Sequence, residues 1–195
     1  MLQYFIFYKP FHVLCQFSPE GEKETLSNYL SHLPKNIYPV GRLDFDSEGL
    51  LLLTNDKSLT HRLLDPAFAH KRTYWVQVEG DITQQAITQL EKGVEINVDG
   101  KRYHTKKAAA EIFTTPPAVP DRNPPIRYRK NVPDSWLSLT LTEGKNRQVR
   151  RMTAAVGFPT LRLIRYSIGH LTVDGMNPGS NIEINERAIA KFLGK

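Results

Sequence analysis

The chain has 195 residues, 40% of them hydrophobic, which predicts a single domain over 1–195 with one substantial core and leaves open a division into two lobes. Its short apolar start lacks a basic n-region and ends at Lys9-Pro10, which excludes a signal peptide, and no stretch is long enough to span a membrane. The net charge is +6, and one cysteine with six histidines, none at zinc-ligand spacing, predicts a reducing, cytoplasmic setting without a disulfide or a metal. A monomer is the default expectation.

The elements predicted along the chain are short and mixed in order. Alternating or continuous apolar runs predict strands over 3–8, 50–53, 73–78, 94–98, 108–113, 136–142, 160–168 and 182–184. Helical spacing with start and stop signals predicts helices over 25–33, 58–64, 83–92, 147–156 and 186–193. Because strands outnumber helices and no internal repeat is present, the predicted class is α+β, with a mostly antiparallel mixed sheet and flanking helices.

A proline-rich loop is predicted over 114–133. It contains six prolines, which regular secondary structure does not tolerate. Between the prolines lie four cations: Arg122, Arg127, Arg129 and Lys130. Loops of this length inside a domain are usually functional or disordered, so this one is a candidate contact surface.

Positive charge is concentrated in one third of the chain. The segment 101–165 holds fourteen lysines and arginines against four acids, a net charge of +10. Since the whole chain carries +6, the rest carries −4. Such a concentration is typical of a surface that binds a polyanion, although a solvated basic surface explains charge alone equally well.

The segment 41–49, here named the acidic connector, places Arg42, Asp44, Asp46 and Glu48 directly before a very apolar run. Its first half matches a calcium-binding EF-hand loop, but positions nine and twelve would be a leucine and an asparagine, which excludes that site. A single catalytic carboxylate, with the neighbouring charges as structural partners, is one remaining interpretation. An ordinary turn or helix-capping cluster is the other, and pattern alone does not separate them.

The segment 143–152, here named the basic segment, carries Lys145, Arg147, Arg150 and Arg151 immediately after a glycine turn. Three arginines at a helix N-terminus oppose the helix dipole, whereas a bound phosphate would reverse that penalty. Spacing places Arg147 and Arg151 on one helix face and Arg150 nearer the core. The pattern therefore favours binding of RNA or DNA phosphate.

At these segments the sequence resembles the bacterial pseudouridine synthases that modify ribosomal RNA. The shared motifs, in the family's order, are Tyr8-Lys-Pro, Gly41-Arg-Leu-Asp-Phe-Asp-Ser-Glu-Gly-Leu-Leu-Leu-Leu-Thr-Asn, Lys71-x-x-Tyr-x-Val, Glu143-Gly-Lys-Asn-Arg-Gln-Val-Arg-Arg-Met and Leu161-Arg-Leu-Ile-Arg. Within the family, the stretches 122–130, 133–137 and 158–166 resemble the large-subunit enzymes of type E. The motifs are highly specific and cover most of the chain.

The resemblance implies a cofactor-free isomerisation of one uridine, within a pseudouridine synthase fold that has a central catalytic cleft. Asp44 falls on the family's catalytic aspartate, Tyr74 on its active-site tyrosine and Arg150 on the arginine paired with the aspartate. The substrate pocket would be lined by Leu163 and Arg42.

The implied partner is large-subunit ribosomal RNA. Its phosphates would be met by eight cations: Lys145, Arg147, Arg151, Arg122, Arg127, Arg129, Lys130 and Arg165. Many family members carry an N-terminal S4-type RNA-binding domain, and this chain is expected to lack one. The glycine that often follows the Lys-Pro motif is also replaced, by Phe11-His12.

Two alternatives stay open at this point. A non-catalytic RNA-binding or ribosome-assembly protein would explain the basic surface but not the acidic connector. A metal-dependent nuclease would use Asp44, Asp46 and Glu48 as metal ligands. For a non-catalytic protein, substitution of Asp44 would have no effect. For a metal-dependent nuclease, chelation would abolish activity.

Overall fold

The computed structural model describes residues 1–126 and 132–193. Tertiary contacts divide the chain into two units. The first unit comprises Met1–His70 together with the chain from Tyr166 onwards, and the second is the continuous segment Lys71–Arg165.

The N-terminal part of the first unit is built around two long buried strands. Its elements are β1 (Tyr4–Lys9), β2 (Val13–Leu14), β3 (Glu24–Thr25), α1 (Ser27–Leu30), β4 (Tyr38–Pro39), β5 (Glu48–Thr54), α2 (Lys57–Leu64) and a 3₁₀ turn (Pro66–Phe68). β1 lies antiparallel to β5, with Tyr4 opposite Thr54 and Lys9 opposite Gly49. β4 pairs antiparallel with the end of β5, and the short strands β2 and β3 run parallel to each other.

The second unit consists of antiparallel strands with two helices. Its elements are β6 (Arg72–Glu79), α3 (Gln84–Lys92), β7 (Glu95–Val98), β8 (Lys101–His104), β9 (Ala109–Ile112), β10 (Asp134–Leu141), α4 (Gln148–Ala155) and β11 (Thr160–Ile168). The strand order is β11-β6-β10-β9, and β10 is antiparallel to both of its neighbours. β7 and β8 form a separate antiparallel hairpin. β11 continues past Arg165, so its last residues belong to the first unit.

The chain then completes the first unit with β12 (Leu171–Thr172), β13 (Asn181–Ile184) and α5 (Glu186–Leu193). β12 folds back antiparallel onto the end of β11, and β13 lies antiparallel to β1 on the side away from β5. Within the described residues, no helix combines the length and the apolar character needed to cross a bilayer.

Each unit has a buried apolar cluster. In the first unit it joins β1 and β5 to the segment before α1 and to α1 itself; its members are Phe5, Phe7, Val13, Leu26, Leu30, Ile37, Leu51 and Leu53. In the second unit, α3 and α4 supply Ile87, Leu90 and Met152 to a cluster with Val76 and Leu139 of the strands. The continuous leucine run of β5 is buried throughout, as expected of a strand with both faces covered.

The structure confirms the α+β class and the mostly antiparallel pairing. The eight predicted strands and five predicted helices are present with boundaries shifted by a few residues, and the first helix is shorter than predicted. The short strands β2, β3, β4, β8 and β12 were not predicted. β8 shows why: its sequence Lys-Arg-Tyr-His is mostly exposed, so no apolar face marks it as a strand. Within the proline-rich loop, the described residues 114–126 and 132–133 contain no helix or strand.

We predict that Gly93→Ala lowers the free energy of unfolding more than Gly100→Ala does. Gly93 ends α3 at φ 93°, and a Cβ there would lie 2.3 Å from the carbonyl oxygen of Thr105. Gly100, at φ 83°, has no atom within 4 Å of the same position, so its substitution adds only backbone strain, about 1–2 kcal/mol. The clash at Gly93 should raise the loss to about 3 kcal/mol or more. Urea denaturation of both variants checks this, and equal losses would contradict it.

Candidate functional site

The acidic connector lies in the first unit and is held by the segment that follows β1. The N–H of His12 donates to the carbonyl oxygen of Phe45 at 2.9 Å, and the N–H of Leu43 donates to Sγ of Cys15 at 3.2 Å. Asp44 lies between these two anchors and is half-buried. Two hydrogen bonds from a segment distant in sequence therefore flank Asp44 and restrain its backbone.

Lys9, the last residue of β1, places a cation beside the connector. It is 0% exposed, and its Nζ donates to the carbonyl oxygen of Pro10 at 2.7 Å. Burial lowers the pKa of Lys9 to about 8, although Cys15 and the three carboxylates of the connector favour its charged form and oppose this shift.

Arg42, predicted to line the substrate pocket, has an exposed side chain on the connector. The acids on the same segment differ in burial: Asp44 and Asp46 are half-buried, whereas Glu48 is buried at the start of β5. In the part of the chain that the structure describes, no group of three or more His, Cys, Asp or Glu side chains is placed to hold a metal ion. Asp44, Asp46 and Glu48, the ligands a metal-dependent nuclease would need, thus form no such group.

Tyr74 and Leu163 lie in the second unit and share one core. Tyr74, on β6, is half-buried and packs against the buried cluster to which Leu163 of β11 belongs. Val149 and Met152 of α4 are members of the same cluster. The second unit therefore brings together Tyr74, Leu163 and the helix that carries Arg150, whose side chain is half-buried.

The basic segment is organised by Glu143, a carboxylate that is 6% exposed. Its Oε1 accepts from the N–H of Lys106 at 2.9 Å and from Nε2 of Gln148 at 2.6 Å, while Oε2 accepts a short hydrogen bond from the hydroxyl of Tyr103. Gln148 in turn accepts from the N–H of Lys145 at 2.9 Å. One carboxylate thus connects the start of α4 to β8 and to the segment after it.

The hydrogen bonds to Glu143 shift two pKa values in opposite directions. Burial by itself would raise the pKa of Glu143, but the bonds from Tyr103, Lys106 and Gln148 outweigh it and lower that pKa below its ordinary value. The bond to Glu143 is the main cause that raises the pKa of Tyr103 to about 12. At neutral pH, Glu143 is therefore an ionised carboxylate and Tyr103 a neutral phenol that donates to it.

The prediction that Arg147 and Arg151 share a helix face is wrong. α4 begins at Gln148, and Arg147 precedes it in the left-handed conformation at φ 51°. Arg151 reaches along the surface to the β7–β8 hairpin: its guanidinium donates to the carbonyl oxygen of Asn97, reaches Oδ1 of Asn146 at 3.3 Å and lies 4.0 Å from a carboxylate oxygen of Asp99. Arg151 therefore fastens α4 to the β7–β8 hairpin, whereas Arg147 is exposed.

The other predicted RNA contacts differ in accessibility. Lys145 is exposed, with its Nζ 4.8 Å from the ring centroid of Tyr103, a cation–π distance. Arg122, in the proline-rich loop, is half-buried and its Nε donates to the carbonyl oxygen of Pro124 at 2.8 Å. Lys145 is therefore an exposed cation beside the ring of Tyr103, and Arg122 is hydrogen-bonded within its own loop.

Arg165 does not fit a surface contact with phosphate, because it is 5% exposed. It lies near Arg72: burial lowers the pKa of Arg72, and the charge of Arg165 lowers it further. Arg127, Arg129 and Lys130, also predicted as RNA contacts, lie outside the described residues.

Sequence reasoning missed three participants of these sites: Lys9, Glu143 and Tyr103. Lys9 and Glu143 do stand in the motifs that carry the resemblance, and that is the signal that could have found them. Tyr103 stands in a strand without an apolar pattern, so nothing local marks it. Its role depends on Glu143, forty residues away in sequence.

Comparison with known proteins identifies the family. The sequence profile of RNA pseudouridylate synthase matches residues 3–155, well over half of the chain. The chain belongs to the RNA pseudouridylate synthase family. Pseudouridine synthases are isomerases that act on RNA, so the predicted family and enzyme class are both confirmed.

Individual pseudouridine synthases are similar over most of the chain. Ribosomal large subunit pseudouridine synthase E of Xanthomonas axonopodis pv. citri is 50% identical over 172 residues, 87% of each chain. The protein of the same name from Vibrio parahaemolyticus is 48% identical over 179 residues, 92% of this chain and 72% of the relative. A crystal structure of a pseudouridylate synthase superposes with a TM-score of 0.78 at 26% identity, covering 98% of this chain and 74% of that one.

We predict that the contribution of Lys9 to stability depends on pH. The folded chain releases this proton at about pH 8, before the unfolded chain does at about 10.5. Unfolding therefore takes up a proton between these values, and the free energy of unfolding rises with pH across this window by about 3 kcal/mol. Lys9→Met should lack this rise, whereas the exposed Lys23→Met should keep it. Urea denaturation from pH 7 to 10.5 measures both, and parallel curves for wild type and Lys9→Met would refute the prediction.

We predict that Glu143→Gln lowers the free energy of unfolding by about 2 kcal/mol at pH 7, because the new amide would face hydrogen-bond donors. Tyr103→Phe, which removes one donor, should lower it by about 1 kcal/mol. Since the pKa of Glu143 is lowered, the wild-type advantage is complete above about pH 4.5 and declines as pH falls below it. Chemical denaturation at pH 7 and pH 3.5 measures this. Glu111→Gln, an exposed change in the same unit, is the matched control, and a loss there as large as for Glu143→Gln would disprove the account.

Proposed function

We propose that this enzyme converts one uridine of large-subunit ribosomal RNA to pseudouridine, with Asp44 as its catalytic carboxylate. The observation that carries the proposal is the 48–50% identity to two ribosomal large subunit pseudouridine synthases E over 87–92% of the chain. Asp44 lies within the matched family region, in the motif Gly41-Arg-Leu-Asp. Its half-buried position between two backbone anchors supports the assignment.

The reaction is an isomerisation and needs no external reactant. The bond between ribose C1′ and uracil N1 breaks, the uracil turns while it stays bound, and C1′ bonds to C5. The proton lost from C5 is balanced by one gained at N1. Asp44 acts in its ionised form, as a nucleophile at the ribose or the base or as a base that removes a ribose proton. The buried Lys9 lies beside the connector that carries Asp44.

The second unit supplies the groups proposed to hold the base. Tyr74 stacks on the uracil and assists removal of the C5 proton, and its packing against the apolar cluster supports a fixed ring position. Leu163 is the proposed apolar wall, and Arg150 is the residue that falls on the family's arginine partner of the catalytic aspartate. Tyr74 and Leu163 belong to one core, so a substitution that displaces either one should disturb the other.

Phosphate contacts are proposed for the exposed cations of the basic segment, Lys145 and Arg147. Taking a uridine out of its stack costs a few kcal/mol, and contacts to neighbouring phosphates offset this cost. Arg151 is reassigned to a structural role because its guanidinium is engaged by Asn97, Asn146 and Asp99. Roles for Arg122, Arg127, Arg129 and Lys130 in RNA binding, a place for Arg42 in the substrate pocket, a cytoplasmic location and a monomeric state stay predictions.

Asp44→Asn should abolish pseudouridine formation while leaving RNA affinity within about twofold. The purified protein is incubated with chelator on unmodified large-subunit ribosomal RNA, and pseudouridine is mapped by carbodiimide adduct and primer extension. Wild type should give a new stop at one uridine, and Asp44→Asn should lower its rate by at least about a thousandfold, as loss of a catalytic group does. Asp81→Asn, an exposed aspartate change, is the control and should leave the rate unchanged.

Each other outcome has a distinct meaning. A stop that persists in Asp44→Asn would remove Asp44 from the mechanism. A stop on small-subunit ribosomal RNA instead would change the substrate but keep the enzyme class. No stop on free RNA or on ribosomal precursor particles, with RNA binding retained, would favour a non-catalytic RNA-binding protein.

A further inference from the structure

A stack of three aromatic rings adjoins Asp44 in the chain. The ring centroids of Phe11 and His12 are 3.8 Å apart with 27° between planes, and those of His12 and Phe45 are 4.7 Å apart with 6° between planes. If Phe11 and Phe45 lay on the same face of the His12 ring, they would overlap at these distances. They therefore cover its opposite faces. The imidazole is therefore the middle ring of the stack, one residue away from Asp44 through Phe45.

His12 adopts a backbone conformation that favours glycine. Its φ is 58°, in the left-handed region, which costs a residue with a Cβ about 1–2 kcal/mol. The hydrogen bond from its N–H to Phe45 holds the backbone there and would form with glycine as well. A histidine at this position therefore carries a local conformational cost. Stacking between two rings contributes about 0.5–1.5 kcal/mol per pair, which is similar in size to that cost.

His12 is exposed although its ring is stacked on Phe11 and on Phe45. The edge of an imidazole carries two nitrogens that can take part in hydrogen bonds. Within the described residues, neither ring nitrogen has a hydrogen-bond partner. The stack thus holds an imidazole edge in a fixed orientation without using its hydrogen-bonding capacity inside the protein.

The lysines near the stack are already compensated by carboxylates, so hydrogen bonding rather than net charge would carry a contact here. Lys23 Nζ lies over the ring of Phe45, 5.8 Å from its centroid, and is paired with Glu20 at 2.8 Å. Lys9, which ends the strand that leads into the stack, is buried beside the carboxylates of the connector. RNA offers both phosphate oxygens and base-edge acceptors to an imidazole N–H.

We propose that His12 is a substrate-contacting residue whose ring nitrogen donates a hydrogen bond to an acceptor on an RNA nucleotide next to the target uridine. This inference rests on the proposed function, because it places the target at Asp44. The acceptor is a phosphate oxygen or a base edge, and RNAs that carry either one methylphosphonate linkage or one abasic nucleotide next to the target distinguish the two. The effect of removing the His12 ring should disappear with the first RNA if the acceptor is a phosphate oxygen, and with the second if it is a base edge.

The test compares His12→Gly with His12→Phe. Glycine relieves the left-handed strain and removes the ring, so folding is not the limiting factor. Phenylalanine keeps three stacked rings but removes both nitrogens. Both variants should raise KM for the RNA by about tenfold with kcat within twofold, as loss of one hydrogen bond to RNA predicts. Wild-type KM in either variant would overturn the proposal, since it would make the nitrogens or the whole ring dispensable.

Ala69→Gly is the matched control for backbone relief. Ala69 is also exposed and left-handed, at φ 47°, and lies outside the residues assigned to RNA. This variant should leave KM and kcat unchanged.

Binding measurements keep the inference separate from the isomerase assignment. The Kd of Asp44→Asn for a large-subunit ribosomal RNA transcript is compared with that of Asp44→Asn/His12→Gly by filter binding, which requires no turnover. A Kd about tenfold higher in the double variant supports the contact even if no pseudouridine is formed. Equal Kd values refute it even if wild type is active.

Discussion

The antiparallel pairing of β1 with β5 is the constraint on which the first unit depends. Its register sets Lys9 opposite Gly49, so the end of one strand meets the beginning of the other. The acidic connector leads into β5 at the same point where the chain leaves β1. One run of backbone hydrogen bonds therefore brings a buried cation and a set of carboxylates together from segments forty residues apart.

The second unit uses a buried carboxylate for a comparable purpose. Glu143 joins Tyr103 and the N–H of Lys106 to Gln148, and so sets the direction in which the basic segment leaves β10. A charge that accepts three hydrogen bonds is tolerated in a buried place, whereas the same charge without donors would be costly. Cations that look alike in the sequence therefore diverge in use: Arg151 holds the hairpin, and Lys145 remains exposed on a tyrosine ring.

Under the proposed function, the acidic and the basic segments have different tasks, a carboxylate for the chemistry and cations for the phosphates. These two requirements conflict if the groups neutralise one another. In the first unit the buried Lys9 lies beside the carboxylates of the connector, and in the second unit Lys145 is exposed. An exposed cation of this kind is what a polyanion can bind.

The sequence by itself determined the α+β class, most strands and helices, and the motifs that identify the family, because periodicity, capping signals and motif chemistry are local. It also marked Asp44, Tyr74 and the basic segment as candidates. The tertiary structure alone decided that Lys9 is buried, that Arg147 lies outside α4, that Arg151 contacts the β7–β8 hairpin and that His12 stands between two rings. Each of these depends on partners brought together by strand register or by a turn, and no local pattern records which distant residue will lie opposite. Burial and charge compensation are properties of that pairing, so they became visible only in the folded chain.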